Sequence, residues 1–175
     1  MSNPTDRGVV ESIVREIMLE HLGTKVTTSC RLAPSVLRVT VSARHMHISQ
    51  EDLEKLFGPG HQLTALRPLH QEGQYAAEET VTLVGPKRRL ISNLRILGPI
   101  RKQTQVELAF TDAITLGIEN VPVRLSGNIE GTPGGFILGP AGMLELKEGI
   151  IRAARHVHMS PEDANYYGVQ NGDVM

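Results

Sequence analysis

Hydrophobic and polar residues follow two different rhythms along this chain. Over residues 6–22, Val9, Val10, Ile13, Val14, Ile17, Met18 and Leu22 recur at intervals of three and four, while Glu11, Arg15, Glu16 and Glu20 fall elsewhere. That is the period of a helix with one apolar face. Asp6 stands where it can cap the start and Gly23 where it can end the helix. A polar stretch over 24–29 and Pro34 follow, so residues 1–34 read as an amphipathic helix on a tether. Such a helix either packs on the body of the protein or serves as a detachable docking peptide.

From residue 36 the rhythm shortens to two. Leu37, Val39 and Val41 alternate with Arg38, Thr40 and Ser42, the pattern of a half-buried strand. Further strands are predicted over 80–84, 90–97, 105–110, 121–125, 136–138 and 143–146, separated by glycine–proline punctuation such as Gly85-Pro86, Gly98-Pro99 and Gly139-Pro140. Many short strands at this spacing suggest small barrels or sandwiches. The fold class predicted is therefore mainly β, with short helices besides the N-terminal one.

One segment occurs twice. Residues 43–52, Ala-Arg-His-Met-His-Ile-Ser-Gln-Glu-Asp, return at 154–163 as Ala-Arg-His-Val-His-Met-Ser-Pro-Glu-Asp, identical at seven of ten positions. The 111-residue spacing favours two related units over a short-period solenoid, and predicts two small β-barrel-like domains over residues 35–110 and 111–175. In both copies a short capped helix follows the histidines. Ser49 and Asp52 start the first and Gly58 ends it, while Ser160, Pro161 and Asp163 start the second and Gly168 ends it. Asn171-Gly172-Asp173 then reads as a turn into a strand that has only Val174 and Met175, so the second unit reads as cut short in this sequence.

Capping accounts for the Ser, Glu and Asp of the repeat but not for its histidines. On a strand, residues two apart face the same way, roughly 6.5–7 Å apart along the chain, so His45 and His47 can converge on one ion, as can His156 and His158. A lone His-x-His is more often a pair of ordinary hydrogen-bonded imidazoles. Duplication with the same arginine and cap favours a metal role, with zinc preferred and cobalt or manganese able to replace it. Glu107 is the best carboxylate to join them. Val106, Leu108 and Phe110 make an apolar face, which leaves Gln105 and Glu107 on the other, as ligand bearer or as solvated surface. Arg101 and Lys102 place two cations just before that strand, and Ser126-Gly127 forms a turn able to lend a hydroxyl. His21, His61 and His70 lie outside the repeat and read as ordinary surface residues.

Composition removes several alternatives. Net charge is −1, and three Tyr, three Phe and no Trp leave no basic footprint or stacking surface for nucleic acid. Cys30 is the one cysteine, so neither a disulfide framework nor a cysteine zinc site is expected. There is no Walker loop or dinucleotide fingerprint, no apolar run of membrane-spanning length and no secretory signal pattern. A soluble cytoplasmic protein without membrane or nucleic-acid partners is expected.

Several strings together resemble one family. Residues 39–47, Val-Thr-Val-Ser-Ala-Arg-His-Met-His, are similar to the opening motif of the PduL-type phosphate propanoyltransferases, the phosphotransacylases of bacterial microcompartments. Residues 71–77, 97–107, 123–127 and 154–160 fit the same family in order. The resemblance implies two β-barrel-like domains with a dinuclear zinc centre between them. It implies His45, His47, Glu107, His156 and His158 as zinc ligands, Arg101 as the catalytic, phosphate-orienting residue and Ser126 near the phosphate. The implied reaction takes acyl-CoA (propanoyl-CoA or acetyl-CoA) and phosphate to acyl phosphate and coenzyme A, and back, as in propanediol degradation. The N-terminal helix resembles the peptides that direct such enzymes into microcompartments, with shell or cargo proteins as partners; a homo-oligomer is also compatible.

Two departures stand out. Family members extend further and supply another histidine ligand there, whereas five ligands are visible here. Ile114 stands where an aromatic residue is common, which weakens stacking on the adenine of coenzyme A. The alternatives are a zinc-dependent thioester hydrolase and a non-catalytic microcompartment cargo or scaffold protein with structural zinc.

Overall fold

The computed structural model describes residues 16–17, 44–69 and 71–174. Its backbone divides into two compact units, Val39–Ser160 and a second made of Met1–Arg38 with Pro161–Met175. Of the N-terminal helix expected over 6–22, only Glu16 and Ile17 lie within the described residues, and both are helical. The strand expected from residue 36 and Cys30, His21 and His70 lie outside them.

Within Val39–Ser160 the described strands are β1 (His45–His47), β2 (Ala65–Pro68), β3 (Tyr75–Val84), β4 (Leu90–Gly98), β5 (Gln105–Glu107), β6 (Val123–Arg124), β7 (Gly135–Leu138), β8 (Met143–Leu146) and β9 (Ile150–Ala153). Two helices accompany them, α1 (Gln50–Phe57) and α2 (Phe110–Leu116). The other unit contains α3 (Pro161–Tyr167). The molecule is thus mainly β. No helix among the described residues is long and apolar enough to cross a membrane.

The strands form one curled sheet in the order β6-β9-β5-β1-β4-β3-β7-β8, with β2 also on β3. β3 is long enough to share one edge: its start pairs with β2 and its end with β7, while β4 runs along the other side. Period-two patterning explains which face is buried. Ala77, Val81 and Leu83 of β3, Leu94 and Ile96 of β4, Met46 of β1 and Val106 of β5 all turn into one core. On α1, Leu53 and Leu56 lie three residues apart and are fully buried against that core. Each contributes about 1.5–3 kcal/mol by leaving water.

Helix α1 forms where the capping pattern placed it. The Asp52 amide donates to Ser49 Oγ at 3.2 Å, and Gly58 closes the helix by donating to the Glu54 carbonyl. Pro161 opens α3 as expected, and Gly168 takes the positive φ of 66° that ends it. One strand was drawn too long from the sequence. The run 105–110 leaves the ladder after Glu107, and Phe110 starts α2 with 59% of its surface exposed. Alternation of Val106, Leu108 and Phe110 therefore holds for the first two only, because the chain turns at Ala109. Strands β2 and β9 are absent from the sequence-based assignment. β2 is exposed throughout and ends on Pro68, and β9 reads as a continuous apolar pair rather than an alternation.

Candidate metal centre

Strand pleating assembles the first half of the centre. His45 and His47 on β1 lie directly opposite Glu107 and Gln105 on β5. Opposed residues share a face, so these four project from one side while the paired Met46 and Val106 enter the core. The candidate ligand atoms of His45, His47 and Glu107 all lie within 4.8 Å of one another. His45 Nε2 is 3.5 Å from Glu107 Oε2.

His47 is 3% exposed, and its Nδ1 stands 3.3 Å from the Leu97 carbonyl oxygen, which can only accept. The ring hydrogen therefore belongs on Nδ1, leaving the Nε2 lone pair as the ligand. Burial, then the Arg101 guanidinium and then His45 push the His47 pKa down to about 3, against the pull of the Leu97 carbonyl. The imidazole is thus neutral at pH 7, the form that binds a metal.

The second histidine pair is built on irregular backbone. His156 and His158 follow β9 and lie outside any described ladder, yet their rings meet at a centroid distance of 4.5 Å. His156 Nδ1 donates to the Ala154 carbonyl at 2.6 Å, which turns Nε2 outward to within 3.0 Å of His158 Nε2. Two nitrogens bound at about 2.1 Å to one tetrahedral ion stand about 3.4 Å apart, so this pair is within a few tenths of an ångström of chelating geometry. Burial, and then His156, draw the His158 pKa below its ordinary value, while Glu107 opposes them. Glu107 therefore lies within electrostatic reach of both pairs. Among the described residues, the compact ligand group is His45, His47 and Glu107, with His156 and His158 as a separate exposed pair.

The nitrogen and carboxylate donors fit a divalent transition metal. Two imidazoles with one carboxylate are a known ligand set for zinc, and the hydrogen-bonded Nδ1 atoms of His47 and His156 fix the tautomers that coordination needs. This donor set can hold a metal ion.

A cation and a hydroxyl stand beside it. The Arg101 amide donates to the Ile48 carbonyl at 2.9 Å, just past the end of β1, and its Nη1 donates to Ser126 Oγ at 2.9 Å. Burial lowers the Arg101 pKa and Glu107 raises it, which places the guanidinium in the field of the ligand carboxylate. The loop carrying Arg101 is anchored at Thr104, whose hydroxyl donates to Asp52 Oδ2 at 2.6 Å and accepts from the Ser49 amide at 3.1 Å. The cap of α1 and the arginine loop are thus one network. Ile114 is exposed on α2, and Lys102 is exposed in the loop.

Two residues carry more structure than the sequence implies. Gln105 is 2% exposed and hydrogen-bonds both Glu107 and Ser126; its position two residues before Glu107 was the available signal. His61 is no ordinary surface residue. Its Nε2 meets Oε1 of the buried Glu79 at 3.1 Å, and its ring stacks on Phe57. That pairing depends on β3 bringing Glu79 inward and has no signature near His61 in the chain.

The fold and site define a mainly β protein whose sheet presents a histidine–carboxylate group able to hold a metal ion beside an arginine–serine pair. Residues 38–175 match the family model described as phosphate propanoyltransferase. A phosphate propanoyltransferase of Planctopirus limnophila is 51% identical over 174 residues, covering 97% of this chain and 71% of that protein. One from Thermotoga maritima is 54% identical over 155 residues, covering 89% of the chain and 72% of the relative. One from Salmonella typhimurium is 47% identical over 170 residues, covering 97% and 74%. The chain belongs to the phosphate propanoyltransferase family, a family of phosphotransacylases.

Proposed function

We propose that the chain is a zinc-dependent phosphate acyltransferase that converts acyl-CoA, such as propanoyl-CoA or acetyl-CoA, and phosphate to acyl phosphate and coenzyme A, reversibly. One observation carries this reading beyond the family name. The ligand group and the anion-binding pair are joined through Gln105, which bonds both Glu107 and Ser126, while Ser126 bonds Arg101.

His45, His47 and Glu107 would hold one zinc ion, and His156 with His158 would contribute to a second. Bound zinc would neutralise phosphate charge and act as a Lewis acid toward the thioester carbonyl. Arg101, the catalytic residue of this reading, orients phosphate through the guanidinium donors that Ser126 leaves available. Ser126 donates its hydroxyl to the same anion. A phosphate oxygen attacks the carbonyl carbon, the new C–O bond forms, the C–S bond breaks and coenzyme A leaves as the thiolate. Direct attack needs no acylated side chain, which fits a centre built from imidazoles, a carboxylate, a guanidinium and an amide.

The domain division at 110/111 belongs to this proposal. Its support is chain order: β1 leads through His45 and His47 into capped α1, and β9 leads through His156 and His158 into α3. Residues 1–34 serve in this reading as the peptide that docks onto microcompartment shell or cargo proteins, with the enzyme inside the compartment. Among the described residues β6 and β8 end the sheet, and such edges suit association with another copy.

The test is thiol release from propanoyl-CoA in zinc-containing buffer, with and without phosphate. Release that requires phosphate and yields acyl phosphate supports the proposal. Equal release without phosphate identifies a thioester hydrolase, and no release identifies a non-catalytic cargo or scaffold role; either overturns it.

A further inference from the structure

The Gln105 side chain uses its polar atoms in a way that admits one orientation. Gly127 donates its backbone N–H to Gln105 Oε1 at 2.6 Å. Gln105 Nε2 donates one hydrogen to Glu107 Oε1 at 2.8 Å and the other to Ser126 Oγ at 2.9 Å. A flipped amide would set its oxygen against a carboxylate and its NH2 against an N–H, so the contacts to Glu107 and Gly127 forbid the alternative. At 2% exposure the Gln105 amide is shielded from water, and its bond to Glu107 is fully buried.

Each bond has a consequence beyond the residue itself. Glu107 Oε1 accepts the amide, which holds the carboxylate with Oε2 turned to His45, 3.5 Å from its Nε2. Ser126 Oγ receives two donors, Gln105 Nε2 and Arg101 Nη1, each at 2.9 Å. Neither an arginine nor an amide nitrogen can accept. With both lone pairs taken, the Ser126 hydroxyl hydrogen is directed away from them toward a third, acceptor group. Ser126 is exposed, so that hydrogen is within reach of an acceptor arriving from solution.

We infer that Gln105 is a positioning residue that fixes Glu107 for metal binding and forces Ser126 to act as a donor to an anionic oxygen, so that the metal group and the anion pocket are set by one amide. The second half of this inference rests on the proposed phosphate acyl transfer; the first half does not. Gln105 touches neither reacting group and acts through Glu107 and Ser126.

The experiment uses the full chain with Gln105→Met, which keeps the length and removes every hydrogen bond, and Gln105→Asn, which keeps an amide one methylene short. Zinc affinity of metal-stripped protein is measured by competition with a chromogenic chelator, and phosphate KM and kcat are measured on loaded protein. Both variants are expected to bind zinc about tenfold more weakly and to raise phosphate KM about tenfold with a smaller change in kcat. Ser126→Ala is expected to raise phosphate KM without moving zinc affinity, and to add nothing further in the Gln105→Met background. Zinc affinity and phosphate KM within twofold of wild type in both Gln105 variants would overturn the inference, as would full additivity with Ser126→Ala. Lower thermal stability alone, with both readouts unmoved, would show a structural role and overturn it too. If wild type shows no phosphate-dependent turnover, the functional reading fails and the zinc competition still decides the role of Gln105. Wild type that neither binds zinc nor uses phosphate overturns both.

Discussion

Acid should destabilise the metal-free protein through one buried ring. His47 is 3% exposed and its pKa falls from 6.5 to about 3, first through burial, then through Arg101 and His45. Above pH 6.5 the ring is neutral in both folded and unfolded chains. Below that, the unfolded chain takes up a proton that the folded chain refuses until about pH 3, so stability is lost as pH falls through this window. At about 1.4 kcal/mol per pH unit, the loss between pH 6.5 and pH 5 is about 2 kcal/mol, rising to about 5 kcal/mol near pH 3. The assay is urea unfolding of metal-stripped wild type and His47→Gln at pH 7 and pH 5. Wild type should lose about 2 kcal/mol more than the variant over that interval. Equal losses in the two proteins would refute the reasoning, because other titrating groups would then account for the whole acid response.

Other substitutions separate the parts of the site. Arg101→Ala should raise phosphate KM tenfold or more, the loss of about 1.5–3 kcal/mol of charged hydrogen bonding, with little effect on the KM for propanoyl-CoA; steady-state kinetics with each substrate varied would show it. Thr104→Val keeps the side-chain shape but removes the hydroxyl shared by Asp52 and Ser49, which should cost about 2–3 kcal/mol in urea unfolding and also raise phosphate KM by loosening the Arg101 loop. His158→Ala should reduce bound zinc measured by atomic emission while leaving urea stability of the metal-free protein within about 0.5 kcal/mol, since the ring is exposed.

Local patterning made part of this protein readable. The cap at Ser49, the stop at Gly58, the second half of β3 and the strands β4, β7 and β8 follow from residue spacing, because capping and pleating are short-range effects, whereas the pairing of those strands does not. The same logic exposed His45, His47 and Glu107, since a period of two puts each pair of partners on one face. Irregular backbone defeats it. The chain turns at Ala109 without a side-chain cap to announce it, so Phe110 passed for a strand residue. Contacts between distant residues are also silent in the chain. The bond from Gln105 to Ser126 and that from His61 to Glu79 join positions 21 and 18 residues apart, and neither partner hints at the other.

The central claim is that metal bound by the histidine–glutamate group drives phosphate-dependent acyl transfer. Its most direct measurement is a zinc titration of metal-stripped protein, following thiol release from propanoyl-CoA in the presence of phosphate. The account predicts no turnover without metal, activity that rises in step with bound zinc, and no such recovery in a His45→Ala/His47→Ala variant. Full turnover by the stripped protein, or equal recovery in that variant, would contradict it.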